Sequence, residues 1–146
     1  KTIMTIKILL PVDGSDCSLR AVDYLLAHTA LFREEPEVHL LHVHAPIPIG
    51  RVQSHIGAET LHAYYLEESQ SHLDEAQRRM NTAGRVHVTH VHVGQPAETI
   101  ARQGAELGCD LIIMGSHGRT GVAGMLMGSV ASRVLHLSKC PVLLVQ

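Results

Sequence analysis

The sequence predicts an α/β domain built on an open, doubly wound, five-stranded parallel sheet with helices on both faces. Five short runs rich in Leu, Ile and Val alternate with four longer amphipathic stretches. Strands separated by helix-length connections become parallel neighbours joined by right-handed crossovers. The chain has 146 residues, 45% of them hydrophobic and 18% charged, which is typical of one globular domain over residues 1–146.

The first strand is predicted at residues 6–12, because this run is nearly all apolar, as in a strand covered on both faces. Residues 13–16 read Asp-Gly-Ser-Asp, a turn in which Ser or Asp can serve as a helix N-cap. The helix that follows is predicted at residues 18–33. Its apolar stripe consists of Val22, Leu25, Leu26 and Phe32.

The second strand is predicted at residues 38–45, and the prolines and glycine just after it indicate an irregular segment up to about residue 58. A long helix is predicted at residues 59–82, with Gly84 placed to end it at positive φ. The stripe of this helix consists of Leu66, Ser69, Leu73, Ala76 and Met80.

The third strand is predicted at residues 85–93, where apolar residues alternate with polar ones. Pro96 lies near the first turn of the next helix, and Gly108 ends it. The fourth strand covers residues 110–114. A glycine-rich loop, residues 115–128, then leads to the last helix and the fifth strand, predicted at 129–137 and 141–146.

Composition excludes several classes of protein. The net charge is -2 and no basic run occurs, so no nucleic acid partner is expected. Cys17, Cys109 and Cys140 stand singly, which favours reduced thiols in the cytoplasm over a disulfide framework or zinc ribbon. No apolar run is long enough for a membrane span. Met4 is a plausible natural start, which makes residues 1–3 an expected addition to the natural chain.

The loops after the first and fourth strands are the places to look for a ligand, because open parallel sheets bind ligands where the strand order reverses. The second loop carries five glycines and ends at Ser129, at the start of a helix. Glycines let backbone amides approach a phosphate, and the first amides of a helix attract anions. The alternative is a flexible loop with Ser129 as an ordinary N-cap. The P-loop and dinucleotide fingerprints are absent.

The sequence resembles a known family at these positions. Gly115-Ser116-His117-Gly118, nine further residues and Gly128-Ser129 match the G-x2-G-x9-G-[ST] pattern of ATP-binding universal stress proteins. Residues 8–15, 41–43 and 140–145 resemble that family's first, second and last strands. The likeness covers nearly the whole chain in order.

The resemblance implies a Rossmann-like sheet with strand order 3-2-1-4-5 and an adenine nucleotide site at the switch point. The backbone near Pro11, Asp13 and Val43 is expected to hold adenine and ribose, and Met114 and Gly115 are expected along the nucleoside. The residues expected at the phosphates are Gly118, Gly128, Ser129, Val130 and Ala131, with the roles of His117 and Arg119 open. Ala131 departs from relatives that carry a hydroxyl at its position. The implied site residues are Pro11, Val12, Asp13, Val43, Met114, Gly115, His117, Gly118, Arg119, Gly128, Ser129, Val130 and Ala131.

Asp13 admits three interpretations. It contacts the ribose or adenine, it helps hold a divalent ion, or it caps the first helix. The expected ligand is ATP, or ADP or AMP, with Mg or Mn.

The expected function is ATP-binding regulation in a stress response, with slow hydrolysis at most and no catalytic residue assigned. An ATPase or nucleotidyl-transfer enzyme on the same scaffold is the first alternative, and a nucleotide-free oligomeric scaffold is the second. The apolar last strand is expected to lie at a sheet edge, where exposed strands invite pairing. A homodimer is therefore expected through Val142, Leu143, Leu144 and Val145.

The chain contains twelve histidines, several of them within the second and third strands. Because residues two apart in a strand share a face, His42 with His44, and His90 with His92, can converge. A metal site or a pH switch is one interpretation. The favoured interpretation is that they are polar residues at strand ends and on exposed faces.

Overall fold

The computed structural model describes residues 4–48, 57–117 and 127–146. The strands are β1 (Lys7–Pro11), β2 (Glu37–His44), β3 (His87–Val93), β4 (Leu111–Gly115) and β5 (Val142–Val145). The helices are α1 (Asp16–Ala27), α2 (Ala58–Thr82), α3 (Pro96–Glu106) and α4 (Ser129–Leu137), with a 3-10 turn at Thr29–Leu31. The strands form one parallel sheet in the order β3-β2-β1-β4-β5, which confirms the predicted fold class and strand order.

Two hydrophobic cores cover the two faces of the sheet. Ile8 and Leu10 of β1 pack in one core with residues of α1 and α2, whereas Leu9 packs in a second core with residues of α3 and α4. This division follows from the alternation of side chains along a strand. All three residues are fully buried, as expected for a central strand of a doubly wound sheet. Both faces are therefore covered, and a ligand must approach from an end of the strands.

Two helices differ from their predicted extents. The predicted helix at 18–33 ends earlier, at Ala27, because His28 leaves helical geometry with φ -122° and a 3-10 turn follows. The stripe of α2 begins at Ser69 and not at Leu66, which is 46% exposed. At 25 residues α2 is about 37 Å long, whereas the eight-residue β2 spans about 26 Å. The first turns of α2 therefore extend past the sheet.

Two glycines end helices as the sequence predicts. Gly84 follows α2 with φ +68° and Gly108 follows α3 with φ +66°, the left-handed conformation in which a side chain is disfavoured. Among the helices of the described residues, none has the combined length and hydropathy needed to cross a lipid bilayer.

Candidate functional site

A cavity of about 120 Å³ opens at the carboxyl ends of β1 and β4. These strands are neighbours in the sheet, but the chain continues from β1 towards one edge and from β4 towards the other, so they flank the switch point. The cavity is lined by Pro11, Val12, Asp13, Ser18, Leu41, Val43, Pro96, Ile100, Met114, Gly115, His117, Val130 and Ala131.

The structure brings most of the predicted site residues together around this cavity. Gly128 and Ser129 are not among the lining residues and lie at the start of α4, half-buried and exposed respectively. Gly118 and Arg119 lie outside the described residues. The predicted residues that line the cavity are Pro11, Val12, Asp13, Val43, Met114, Gly115, His117, Val130 and Ala131.

The loop between β1 and α1 presents Asp13 to the cavity. Its Oδ1 accepts a hydrogen bond from the Ser15 amide at 2.9 Å. The N-cap of α1 is Ser15, whose hydroxyl accepts from the Ser18 amide at 3.2 Å. The interpretation of Asp13 as the cap of the first helix is therefore wrong. Its carboxylate is instead fixed within the loop while the residue lines the cavity.

The end of β4 packs directly against the start of α1. A Cβ on Gly115 would lie 2.8 Å from the backbone carbon of Cys17, closer than a side chain tolerates. The next residue, Ser116, donates its amide to the Val145 carbonyl at 2.9 Å, and its hydroxyl lies 2.9 Å from Nδ1 of His117. Glycine at position 115 thus allows the end of β4 to lie close against the start of α1.

The first turn of α4 lies beside the cavity, since Val130 and Ala131 are among the lining residues. The N-cap is Gly128, not Ser129, and the Gly128 amide donates to the Ser116 carbonyl at 2.6 Å. The first intrahelical bond of α4 runs from the Ser132 amide to the Gly128 carbonyl at 3.0 Å. The amides of residues 129–131 therefore have no partner within the helix and lie at the positive end of its dipole. This arrangement suits an anionic group.

The walls of the cavity are mostly apolar. Among the described lining residues, Asp13 and His117 are the ionisable ones. Apolar walls with a few polar groups are typical of sites for small organic ligands. Together with the α4 amides, they suit a molecule that has an aromatic part and an anionic part.

Four lining residues were missed by reasoning from the sequence: Ser18, Leu41, Pro96 and Ile100. Leu41 is two residues from Val43 on the same strand, so the alternation of β2 could have identified it. Ile100 and Pro96 belong to α3, which packs beside α4 on the same face of the sheet. No sequence signal placed the start of α3 at the site, because its preceding strand β3 lies at the far edge of the sheet.

Two histidines of β2 are not on an exposed face: the expectation is wrong for His39 and His42, which are 6% and 5% exposed. His44 is half-buried at the end of the strand. His39 Nδ1 lies 2.7 Å from Nε2 of His90 on the neighbouring strand, and its Nε2 lies 2.7 Å from Glu37. Within residues 4–48, 57–117 and 127–146, no group of three or more His, Cys, Asp or Glu side chains could hold a metal ion. Both ring nitrogens of the buried His39 lie within hydrogen-bond distance of a partner side chain.

Comparisons with known proteins agree with this geometry. The sequence profile of the universal stress protein family matches residues 4–146. Universal stress protein MJ0531 of Methanocaldococcus jannaschii is 33% identical over 141 residues, covering 96% of this chain and 81% of that protein.

Two solved structures resemble this one over nearly their whole length. The structure of protein MJ0577, also of Methanocaldococcus jannaschii, has a TM-score of 0.82 at 32% identity, covering 98% of this chain and 96% of that chain. The crystal structure of a universal stress protein in complex with cAMP has a TM-score of 0.67 at 28% identity, covering 97% of this chain and 96% of that chain.

Proposed function

Because the chain belongs to the universal stress protein family, we propose that it is an ATP-binding regulatory protein of the stress response, with its nucleotide in the switch-point cavity. The observation that carries the proposal is that the mostly apolar cavity lies beside the first turn of α4, whose first amides have no partner within the helix. The similar protein that is bound to cAMP supports an adenine nucleotide as the ligand.

The two kinds of surface in the site suggest how the nucleotide lies. Adenine and ribose are proposed to lie against Pro11, Val43 and Met114, which line the apolar part of the cavity. The phosphates are proposed to lie at the first turn of α4 and at the glycine-rich sequence that precedes it. A triphosphate is proposed because the G-x2-G-x9-G-S spacing of that sequence resembles the pattern of ATP-binding universal stress proteins.

Mg²⁺ or Mn²⁺ is proposed to enter with the nucleotide as its counterion. Such ions are usually held by substrate phosphates and by one or two carboxylates, not by an all-protein cage. The lack of a three-ligand cluster in the part of the chain that the structure describes agrees with this role.

Hydrolysis is proposed to be slow. Phosphoryl transfer needs a positioned nucleophile and cations around the transferred group. Asp13 and His117, the ionisable residues among the described lining, both have hydrogen-bond partners within their own loops. Regulation by binding is therefore proposed over turnover.

The first test is the nucleotide that stays with the freshly purified protein, released by denaturation and identified by chromatography. The second is calorimetric titration of ATP into the wild type and the G128V variant. Gly128 and Gly57 are both N-cap glycines with ordinary φ, -76° and -64°, so G57V is a matched control. We expect G128V to lose ATP binding and G57V to retain it. Equal affinity of folded G128V and wild type would contradict the proposed phosphate position.

We also propose that the protein is a cytoplasmic homodimer. The edge strand β5 is partly exposed along all four of its residues, which supports pairing with a second copy. Free Cys17, Cys109 and Cys140 support a reducing compartment. Sedimentation across a concentration series tests the assembly: a monomer at every concentration would contradict the dimer.

A further inference from the structure

His42 forms a hydrogen bond to the backbone of the loop between β1 and α1, which we call the site loop. This β2 residue is 5% exposed, and its Nδ1 lies 2.7 Å from the carbonyl oxygen of Val12. A carbonyl oxygen can only accept, so Nδ1 must carry the proton and donate it. The neutral ring is then the Nδ1–H tautomer. The hydrogen bond joins a side chain of β2 to the peptide that precedes Asp13.

A second histidine supports the same loop from α2. The ring of His72 lies 4.9 Å from that of His42, measured between centroids. Gly14 has φ +81°, and a Cβ on it would lie 2.9 Å from Nδ1 of His72. The imidazole thus occupies the space beside this glycine. The two histidines contact Val12 and Gly14, the residues on either side of Asp13.

Within the described part of the chain, few other hydrogen bonds fix the orientation of the peptide between Val12 and Asp13. The Val12 amide donates to the Leu41 carbonyl at 2.8 Å, so the β1–β2 pairing continues one residue beyond β1. The Asp13 amide faces Ser18 Oγ at 3.4 Å, a long contact. The orientation of the peptide between Val12 and Asp13 therefore depends mainly on the His42 bond. Removal of the donor would leave a carbonyl without this partner, a change that favours rotation of the peptide.

We propose that His42 is a positioning residue of the nucleotide site: its ring fixes the Val12 carbonyl and so sets how Val12 and Asp13 face the cavity. The inference rests on the proposed function for the identity of its ligand. It goes beyond that function because His42 does not line the cavity and acts only through Val12. His72 stabilises the arrangement by filling the space beside Gly14.

The main test compares the ATP affinities of three variants by calorimetry. H42L removes the donor, whereas H42N places an amide N–H near the position of Nδ1. H39L is the matched control, since His39 is an equally buried histidine of β2 that bonds to Glu37 and His90, away from the cavity. We expect H42L to weaken ATP binding about tenfold and H42N to stay within about threefold of the wild type. H39L should leave the affinity unchanged.

The inference is overturned if folded H42L binds ATP as tightly as H39L, or if H42N is as weak as H42L. A nucleotide-free measurement on the wild type keeps the test independent of folding of the variants. Nitrogen-15 NMR of the imidazoles should show His42 as the Nδ1–H tautomer, with Nε2 unprotonated, at neutral pH. The Nε2–H tautomer would overturn the inference.

These measurements separate the two proposals. If the wild type binds no adenine nucleotide, the proposed function fails. The tautomer of His42 and the carbonyl carbon shift of Val12 still report on the hydrogen bond in that case. An upfield shift of the Val12 carbonyl in H42L that is reversed in H42N supports the positioning role, and an unchanged shift in H42L contradicts it.

Discussion

Replacement of Ala131 by leucine should fill the cavity without unfolding the chain. Ala131 lies in the first turn of α4, is 2% exposed and lines the cavity of about 120 Å³. The variant adds three carbon atoms, whose burial contributes up to about 2.4 kcal/mol of stability at about 0.8 kcal/mol per methylene. Packing strain from inserted groups costs about 1–3 kcal/mol. These contributions offset each other, so the free energy of unfolding should change by less than about 2 kcal/mol.

The same variant should lose most of its affinity for ATP. The added carbons and a bound nucleotide would compete for the same space, and we expect the dissociation constant to rise at least about a hundredfold, equivalent to about 2.8 kcal/mol. Calorimetric titration measures the affinity, and urea unfolding measures the stability of the same sample.

The matched control is A105L, because Ala105 is an exposed residue of α3 and the chemical change is identical. A105L should bind ATP like the wild type. A folded A131L variant with wild-type affinity for ATP would refute the assignment of the cavity as the nucleotide site.

Three further predictions follow from the same structure. G115A should lower the free energy of unfolding by about 1–3 kcal/mol, because its Cβ would overlap the backbone of Cys17; an unchanged urea midpoint would contradict this. A131S should raise ATP affinity by no more than about tenfold, since it restores one hydroxyl at the site; calorimetry that shows weaker binding would count against a phosphate there. Burial lowers the pKa of both His42 and His90 below the ordinary 6.5. As the pH falls below about 6.5, these two histidines bind protons in the unfolded chain but not in the native one, so the free energy of unfolding should decrease until the folded pKa values are reached. Urea unfolding at about pH 7.5 and about pH 5.5, on either side of the ordinary histidine pKa, measures this, and greater stability at the lower pH would contradict it.

The pH prediction depends on the surroundings of His42. Burial is the largest cause of its lowered pKa, while the hydrogen bond to Val12 acts in the opposite direction. His72 from α2 and His44 from the same strand lower the pKa further, and Asp13 from the site loop raises it.

The fold could be predicted because its signals are local. Five short apolar runs separated by helix-length stretches admit few topologies, and the glycines at 84 and 108 follow the ends of their helices as expected. The predictions were wrong where burial depends on tertiary contacts and not on the local sequence. Leu66 has the right spacing for the α2 stripe but is 46% exposed, and spacing alone does not reveal which turns of a helix pack against the sheet.

The site was predictable only in part. The loops after β1 and β4 follow from the rule for open sheets, and Leu41 follows from Val43 by alternation. Pro96 and Ile100 reach the cavity because α3 packs beside α4, a contact that no local pattern encodes. The sequence allowed either a serine or an aspartate as the N-cap of α1, and the geometry of the loop makes Ser15 the cap.

The buried histidines show the same limit. Histidine is intermediate between the buried and the exposed residue types, so its presence in a strand does not show whether the side chain is buried. His39 and His42 are buried because each finds a hydrogen-bond partner on a neighbouring element: His90 on β3 for His39, and the Val12 carbonyl after β1 for His42. These partners lie 51 and 30 residues away in the sequence.

A crystal structure of the protein grown with excess ATP and Mg²⁺ tests the proposed site most directly. We expect adenine at the carboxyl ends of β1 and β4, against Pro11, Val43 and Met114, with phosphate oxygens within hydrogen-bond distance of the amides of residues 129–131. A cavity that holds only solvent, or a nucleotide bound elsewhere on the surface, would contradict the proposal.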